Sequence, residues 1–326
     1  MEIKGNKFVV TGGAGLIGSH IVDQALSAGA SEIIILDTLI RGNIDNIAVA
    51  LGDPRVHLYK ADIRDAQGIK PYFAGAAGCF HLAALRITQC AAEPRHALEV
   101  MIDGTYNVLE ACVEQSIKKV VFSSSASIYG MADSFPTSES HHPYNNNTWY
   151  GAAKVCGEGM LRSFKDMFGL AFIALRYFNV YGPRMDASGK YTEVLIRWMD
   201  CFCKGERPAI FGDGKQTMDF VYVEDIARAN IRAMQSEVSD EAFNIATGTE
   251  VSLLELLRAL ANAWGAGLFE PELLPARSVN PVPRRLASVE KAERLLDFSA
   301  TTTLDEGLNK LIEWYKSNRI VCDNQP

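Results

Sequence analysis

Three residues of this chain have the types and spacing that proton transfer requires: Ser125, Tyr150 and Lys154. Tyr150 and Lys154 lie four positions apart, which on a helix places both side chains on one face. An ammonium group beside a phenol favours the phenolate and lowers the phenol pKa from its ordinary value of about 10. Tyr150 is therefore a candidate general base near neutral pH. The spacing alone has low specificity, because most such pairs are a half-buried ring beside a solvated lysine.

The elements that would position these residues begin with a strand–helix–strand unit around a glycine-rich turn. A predicted strand at residues 7–10 leads directly into the glycine-rich segment 11–18, and a helix follows through Ala28. A second strand covers residues 31–36. This order is the context that a dinucleotide-binding fingerprint requires, so we predict a cofactor site there rather than an ordinary turn.

Each glycine of that segment has a distinct expected role. Gly12 allows the tight turn, Gly15 lets the backbone approach a pyrophosphate, and Gly18 allows close packing of helix on strand. Asp37 ends the second strand, where a carboxylate can accept hydrogen bonds from the adenosine ribose and would repel a 2′-phosphate. NAD is therefore the favoured cofactor, although Arg41 nearby leaves NADP open.

Strands and helices continue to alternate, which predicts a parallel sheet covered on both faces. The fold class is thus α/β, a Rossmann-type doubly wound parallel sheet with a smaller intertwined α/β substrate lobe. The further predicted strands are 56–59, 78–84, 119–122, 171–175, 219–223 and 242–245, and the further predicted helices are 97–115, 150–168, 192–203, 223–234, 252–264 and 304–317. We assign residues 1–178 and 219–247 to the NAD-binding domain, and residues 179–218 and 248–326 to the nucleotide-sugar-binding lobe.

Composition restricts the classes of partner. The 326 residues are 48% hydrophobic and carry a net charge of −7, which argues against binding nucleic acid or a membrane surface. We expect no membrane span and no signal peptide, and hence a cytoplasmic location. We also expect no metal, because His141 and His142 lack an acidic or thiol partner at ligand spacing and resemble solvated loop histidines.

Taken together, the motifs resemble those of the extended short-chain dehydrogenase/reductase family, and within it the NAD-dependent nucleotide-sugar epimerases and dehydratases. The resemblance covers nearly the whole chain. It is carried by residues 11–18, Asp37, 62–63, 81–84, 123–130, 150–154, 176–184 and 212–223.

The segment before Tyr129 separates the branches of that family. Family 4,6-dehydratases have an Asp-Glu pair where this chain has Ala126 and Ser127. Without those carboxylates, Ser125, Tyr150 and Lys154 are similar to the catalytic residues of UDP-glucose (UDP-galactose) 4-epimerase. That resemblance implies epimerisation at C4 through a transient 4-keto sugar, with no net redox change. Three alternatives stay open: a dehydratase using unusual acids, an acidic-sugar (UDP-glucuronate) epimerase, and a non-catalytic NAD-binding regulator.

The resemblance also implies the remaining site residues, the substrate class and the oligomeric state. It implies a UDP-linked nucleotide-sugar substrate and a homodimer, formed through the two helices at 97–115 and 150–168. The implied cofactor contacts, besides those above, are Leu16, Ile17, Asp62, Ile63, Leu82, Ala83, Ala84, Ser123, Tyr150 and Lys154. The implied substrate contacts are Arg86, Ser125, Tyr150, Tyr177, Asn179, Arg277 and Arg285.

Three positions depart from the family pattern. Met218 replaces an arginine that contacts the diphosphate, and Met101 replaces an asparagine. Arg285 occupies the position that limits the 2-substituent of the sugar. A long cation there disfavours a bulky neutral group and suits an anionic sugar, unless the side chain points to solvent.

Overall fold

The computed structural model describes residues 1–187, 193–267, 270–276 and 282–318. Its centre is a seven-stranded sheet in which every neighbouring pair of strands is parallel, in the order β11-β6-β5-β4-β1-β2-β3. These strands are β1 (Lys7–Thr11), β2 (Glu32–Asp37), β3 (Val56–Lys60), β4 (Gly78–His81), β5 (Lys119–Ser125), β6 (Ala171–Tyr177) and β11 (Glu241–Ile245).

The α-helices are α1 (Leu16–Ser27), α2 (Ala66–Ile69), α3 (Ile87–Ala92), α4 (Pro94–Leu98), α5 (Gly104–Glu114), α6 (Trp149–Phe168), α7 (Val194–Lys204), α8 (Val223–Gln235), α9 (Leu253–Trp264), α10 (Glu290–Leu296) and α11 (Leu304–Asn318). Short 3-10 turns cover Ile44–Ile47, Ala50–Gly52, Lys70–Phe73 and Ala126–Tyr129, and a π turn covers Glu99–Asp103. In the described part of the chain, none of the helices is both long and apolar enough to cross a membrane.

The sheet is buried on both faces, as the continuous apolar strands predict. On one face Val10 and Ile35 pack in a cluster with residues of α1 and α8, and on the other Val9 packs in a cluster with residues of α5 and α6. Helices on both sides make this a doubly wound sheet. The predicted fold class is confirmed.

The smaller part contains three two-stranded sheets around a core formed largely by α7, α9 and α11. They pair β7 (Asn179–Tyr181) with β10 (Phe220–Tyr222), β8 (Ala209–Phe211) with β13 (Glu272–Leu274), and β9 (Thr217–Met218) with β12 (Val251–Ser252). The predicted strand 219–223 was expected in the main sheet, and this was wrong. It pairs with β7, because the edge of β6 is already occupied by β11.

Asp219 lies where the chain crosses between the two parts. Its carbonyl accepts the amide of Asn179 at 3.0 Å, its Oδ1 accepts the amide of Thr247 at 2.8 Å, and its Oδ2 accepts the amide of Gly248 at 2.9 Å. These contacts join the predicted crossings near residues 178, 218 and 247. They support our proposal that the domain division follows those boundaries.

Candidate active site

The predicted site residues meet at one cleft of about 2460 Å³ at the carboxyl ends of the central strands. Residues of both parts line this cleft. The predicted residues that line it are Gly12, Gly15, Leu16, Ile17, Gly18, Asp37, Asp62, Ile63, Leu82, Ala83, Ala84, Arg86, Ser123, Ser125, Tyr150, Tyr177, Asn179 and Arg285. Lys154 is buried behind this wall. Arg277 lies outside the described residues.

The glycine-rich turn has the geometry of a diphosphate cradle. Gly12 has φ +71°, and a Cβ there would lie 2.8 Å from the amide nitrogen of Ala83. A Cβ on Gly18 would lie 2.3 Å from the carbonyl oxygen of Gly12. Gly15 caps α1 without a side-chain hydrogen bond, so the first amides of this helix remain directed at the cleft. These residues fit a dinucleotide.

Asp37 is positioned by the backbone on both sides of the turn. Its Oδ2 accepts the amide of Ala14 at 3.0 Å, and its Oδ1 accepts the amide of Leu39 at 2.9 Å. Each oxygen keeps a further lone pair with which to accept a ribose hydroxyl. The nearby Arg41 lies 3.8 Å from the carboxylate of Asp186. A carboxylate at the ribose position and a partnered arginine both favour NAD over NADP.

His81 is a buried residue at the end of β4 for which the sequence predicted no role. Its Nδ1 lies 2.7 Å from Oγ1 of Thr11, and its Nε2 lies 3.2 Å from Oγ1 of Thr105. Thr11 Oγ1 also accepts the amides of Leu82 and Ala83, each at 3.2 Å. Burial lowers the pKa of His81 to about 3, so it is neutral and structural. The sequence signals were its position near the end of a predicted strand and its place in the motif segment 81–84.

Ser125 and Tyr150 lie within hydrogen-bonding reach of each other. The amide of Ser127 donates to Ser125 Oγ at 3.1 Å, so the Ser125 hydroxyl is free to donate to the phenol oxygen of Tyr150. Burial raises the pKa of Tyr150 to about 12, while the Ser125 hydrogen bond and the charges of Arg285 and Arg41 act in the opposite direction.

We expected Lys154 to lower the pKa of Tyr150 below its ordinary value. This was wrong, because the pKa of Tyr150 is raised in the protein alone. The Lys154 ammonium donates to the carbonyl of Ser123 and lies 5.6 Å from the centre of the Tyr150 ring. At that position its field is weaker than the effect of removing the phenol from water. Burial also lowers the pKa of Lys154 to about 8, and Cys90 and Glu158 partly offset this.

Met101 lies behind α6, the helix that carries Tyr150, and is not one of the described residues that line the cleft. It is buried with Cys90 and Ala153, beside Tyr150, and its sulfur accepts the amide of Leu85 at 3.2 Å. The predicted continuous helix 97–115 is interrupted at this point by the π turn Glu99–Asp103. Methionine fills irregular space well, which suits the widened turn.

Arg285 reaches the cleft from the smaller part. The residue is only 8% exposed, and its amide is held by the carbonyl of Thr217 at 2.9 Å. Its Nη1 donates to the carbonyl of Ala126 at 2.7 Å, whereas its buried Nη2 has no hydrogen-bond partner among the described residues. Burial lowers the pKa of Arg285 to about 10, which leaves it charged. The alternative that it points to solvent is wrong.

The other predicted substrate contacts differ in how their polar atoms are used. Arg86 Nη1 lies 3.2 Å from Oε1 of Glu193, and both residues line the cleft. Tyr177 is buried, and its hydroxyl donates to Oδ1 of Asn230 at 2.9 Å. Met218 lines the cleft and brings only apolar atoms to the place where an arginine was expected.

The loop that leads to Tyr150 contains an acidic partner that sequence spacing did not reveal. Asp133 Oδ1 lies 2.9 Å from Nε2 of His141, and its Oδ2 lies 3.5 Å from Nε2 of His142. The expectation that these histidines lack an acidic partner was wrong. The His141 side chain is also largely buried rather than solvated, whereas the His142 side chain is half-exposed as expected. The hydrogen bond with His141 lowers the pKa of Asp133.

A protein-family model and several known proteins match this chain over most of its length. Residues 8–246 match the model of the NAD dependent epimerase/dehydratase family. A putative UDP-glucose 4-epimerase of Methanocaldococcus jannaschii is 36% identical over 314 residues, which cover 95% of this chain and 98% of that protein.

Solved structures of two further proteins are also similar. The UDP-N-acetylglucosamine 4-epimerase of Methanobrevibacter ruminantium, in complex with UDP-N-acetylmuramic acid, has a TM-score of 0.90 and 32% identity, covering 97% of this chain and 100% of that one. The UDP-glucose 4-epimerase of Thermotoga maritima with UDP-glucose has a TM-score of 0.89 and 33% identity, covering 95% and 99%.

Proposed function

The chain belongs to the NAD-dependent epimerase/dehydratase family, and from that premise we propose that it is a nucleotide-sugar 4-epimerase. The proposal names Ser125, Tyr150 and Lys154 as the catalytic residues and a UDP-linked sugar as the substrate. Similarity to two proteins described as UDP-glucose 4-epimerases supports it.

One observation carries the choice of epimerisation over dehydration. The turn that follows Ser125 begins with Ala126 and Ser127, at the positions where family dehydratases place an acid and a base. Removal of water needs a group that protonates the leaving hydroxyl, and neither side chain is a carboxylic acid. Ser125 and Tyr150, in contrast, can exchange a proton with a sugar hydroxyl.

The roles of the residues follow from their positions. NAD, when bound, supplies the acceptor and donor of the hydride. In its ionised form, Tyr150 removes the proton of the 4-hydroxyl, directly or through Ser125, and later returns it, so the cycle consumes no net proton. Burial raises the pKa of Tyr150 to about 12, so this ionised form is the minor one at neutral pH in the protein alone. Lys154 holds a positive charge behind Ser123. Gly12, Gly15 and the amides at the start of α1 would hold the diphosphate of the cofactor.

The test is incubation of the purified protein and NAD with a panel of nucleotide sugars, followed by separation of epimers and measurement of mass. We expect an epimer of unchanged mass. Loss of water from the substrate would instead identify a dehydratase. Tyr150→Phe removes only the ionisable oxygen and should abolish turnover while NAD stays bound, and Ser125→Ala should slow it by about 10²- to 10⁴-fold. Wild-type turnover by Tyr150→Phe would refute the mechanism.

Arg285 favours a second candidate within the same chemistry, an epimerase of an acidic sugar. A buried guanidinium with an unpartnered Nη2 beside Tyr150 is suited to a carboxylate. The related Methanobrevibacter epimerase was solved with an acidic nucleotide sugar. Under this proposal the substrate carries a carboxylate on the sugar, and the reaction at C4 is the same.

A further inference from the structure

Glu158 is a largely buried carboxylate that lies one helical turn after Lys154 and two turns after Tyr150 on α6. Its side chain is 15% exposed. Its contacts join the helix that carries the base to the strand that carries Ser125.

The carboxylate of Glu158 joins three elements of the active site. Oε1 accepts the hydroxyl of Ser124 at 2.5 Å and Nε of Arg176 at 2.9 Å, and Oε2 accepts Nη2 of Arg176 at 2.6 Å. Ser124 and Arg176 lie opposite each other on β5 and β6. Two parallel hydrogen bonds from one guanidinium to one carboxylate define their relative orientation closely.

Arg176 extends this contact to the other side of Ser125. Its Nη1 donates to the hydroxyl of Tyr129 at 2.9 Å, and that hydroxyl donates to Oδ1 of Asn244 at 2.6 Å. Tyr129 ends the 3-10 turn that starts directly after Ser125. Ser125 is thus held between two anchored neighbours. The preceding residue bonds Glu158, and the residue four positions later bonds the ion-pair partner of Glu158, Arg176.

We propose that Glu158 is a positioning residue of the active site. Through Ser124 and Arg176 it holds the Ser125 hydroxyl against the phenol of Tyr150. Glu158 also lies one helical turn from Lys154, so its charge has an effect in addition to this geometric one. The inference rests on the proposed epimerase function for its catalytic consequence, but not for its geometric one.

The effect of the Glu158 charge on Lys154 can be separated from the effect of the Glu158 hydrogen bonds on Ser125, because few titratable groups face Lys154 in the described structure. Tyr150 and Glu158 face it from α6, Cys90 from α3 and His81 from β4. His81 is neutral. Burial alone lowers the pKa of Lys154, and Cys90 and Glu158 raise it. Neutralising Glu158 therefore lowers the pKa of Lys154 further, so the alkaline limb of the pH–rate profile moves to lower pH.

The variants are Glu158→Gln, which keeps the shape and removes the charge, Glu158→Asp, which keeps the charge and shortens the reach, and Ser124→Ala. We expect Glu158→Gln to lower kcat by about 10- to 100-fold with little change in KM, because misplacing a catalytic group by about 1 Å has effects of this size. Only Glu158→Gln should shift the alkaline limb. Ser124→Ala and Glu158→Gln should be non-additive in a double-mutant cycle. Asp166→Asn, an exposed site on the same helix, is the matched control and should behave as wild type.

A readout without turnover completes the test. In crystal structures of Glu158→Gln and Ser124→Ala, we expect Ser125 Oγ to move from the Tyr150 hydroxyl by more than about 0.5 Å relative to wild type. Unchanged Ser125 positions, or additive kinetic losses with no shift of the alkaline limb, would overturn the proposal. If wild type turns over no nucleotide sugar, the proposed function fails, and the Ser125 positions still decide the role of Glu158.

Discussion

Arg285→Met tests most directly what the substrate carries. The substitution removes the charge and keeps an unbranched apolar stem of similar volume at a buried site. Among the residues that the structure describes, Nη2 of Arg285 has no hydrogen-bond partner, so it can donate to a ligand. We therefore expect the variant to lose activity selectively toward a sugar with a carboxylate.

The size of that loss follows from the contacts. A hydrogen bond to a charged group contributes about 1.5–3 kcal/mol, which corresponds to about 10- to 150-fold in kcat/KM. The substitution also removes the donor that Nη1 provides to the carbonyl of Ala126, at a cost that is the same for every substrate. The ratio of kcat/KM for UDP-glucuronate to that for UDP-glucose cancels this shared cost and isolates recognition of the carboxylate.

The assay measures kcat/KM of wild type and variants for UDP-glucose, UDP-glucuronate and UDP-N-acetylglucosamine. Arg284→Met is the matched control, because the adjacent Arg284 has a half-exposed side chain and pairs with Glu250 at 2.6 Å. It changes the net charge equally and should leave the ratio unchanged. A wild type that prefers the N-acetyl substrate, with no change of preference in Arg285→Met, would refute the role of Arg285.

Three further results are expected. Asp37→Ala should abolish tight NAD binding in a titration and lower the free energy of unfolding by about 1–3 kcal/mol, because the buried amide of Ala14 loses its acceptor; unchanged NAD affinity would count against the ribose contact. The pKa of Lys154 is lowered to about 8, so its ammonium is present below that pH and lost above it, and kcat should fall as pH rises through 8. The Lys154→Arg variant should not show this fall in kcat. A wild-type kcat that stays constant through pH 8 would exclude a need for the ammonium. Light scattering at micromolar concentration should show a homodimer formed through α5 and α6, where Met167 is 70% and Phe168 53% exposed, and Met167→Asp should yield monomers; a monomeric wild type would contradict this interface.

The residues that sequence predicted best are those whose role depends on local backbone geometry. The turn at Gly12 and Gly18 needs positive φ or a missing Cβ, and Asp37 follows at a fixed distance along one supersecondary unit. Such constraints act over a few residues and are visible in the sequence. The same holds for the shared helix face of Tyr150 and Lys154.

What sequence did not predict depends on residues far apart in the chain. The pKa of Tyr150 is raised because several elements exclude water from it, and no spacing rule reports that exclusion. Ser124 and Glu158 meet across 34 positions. Asp133 meets His141 only because the intervening loop folds back on itself. The π turn around Met101 likewise reflects tertiary packing that overrides a regular helical pattern.

Asp219 has a consequence for how ligands enter and leave. Three segments of the chain, at Asn179, Asp219 and residues 247–248, are joined by hydrogen bonds to the buried carboxylate and the backbone carbonyl of Asp219. Bending the chain at one of these segments would therefore break hydrogen bonds at the others. Rigid-body opening of the two parts is therefore costly, and they should melt as a single cooperative unit. Under the proposed epimerase function, a cleft that does not open by rigid-body movement would retain the 4-keto sugar until the hydride has been returned.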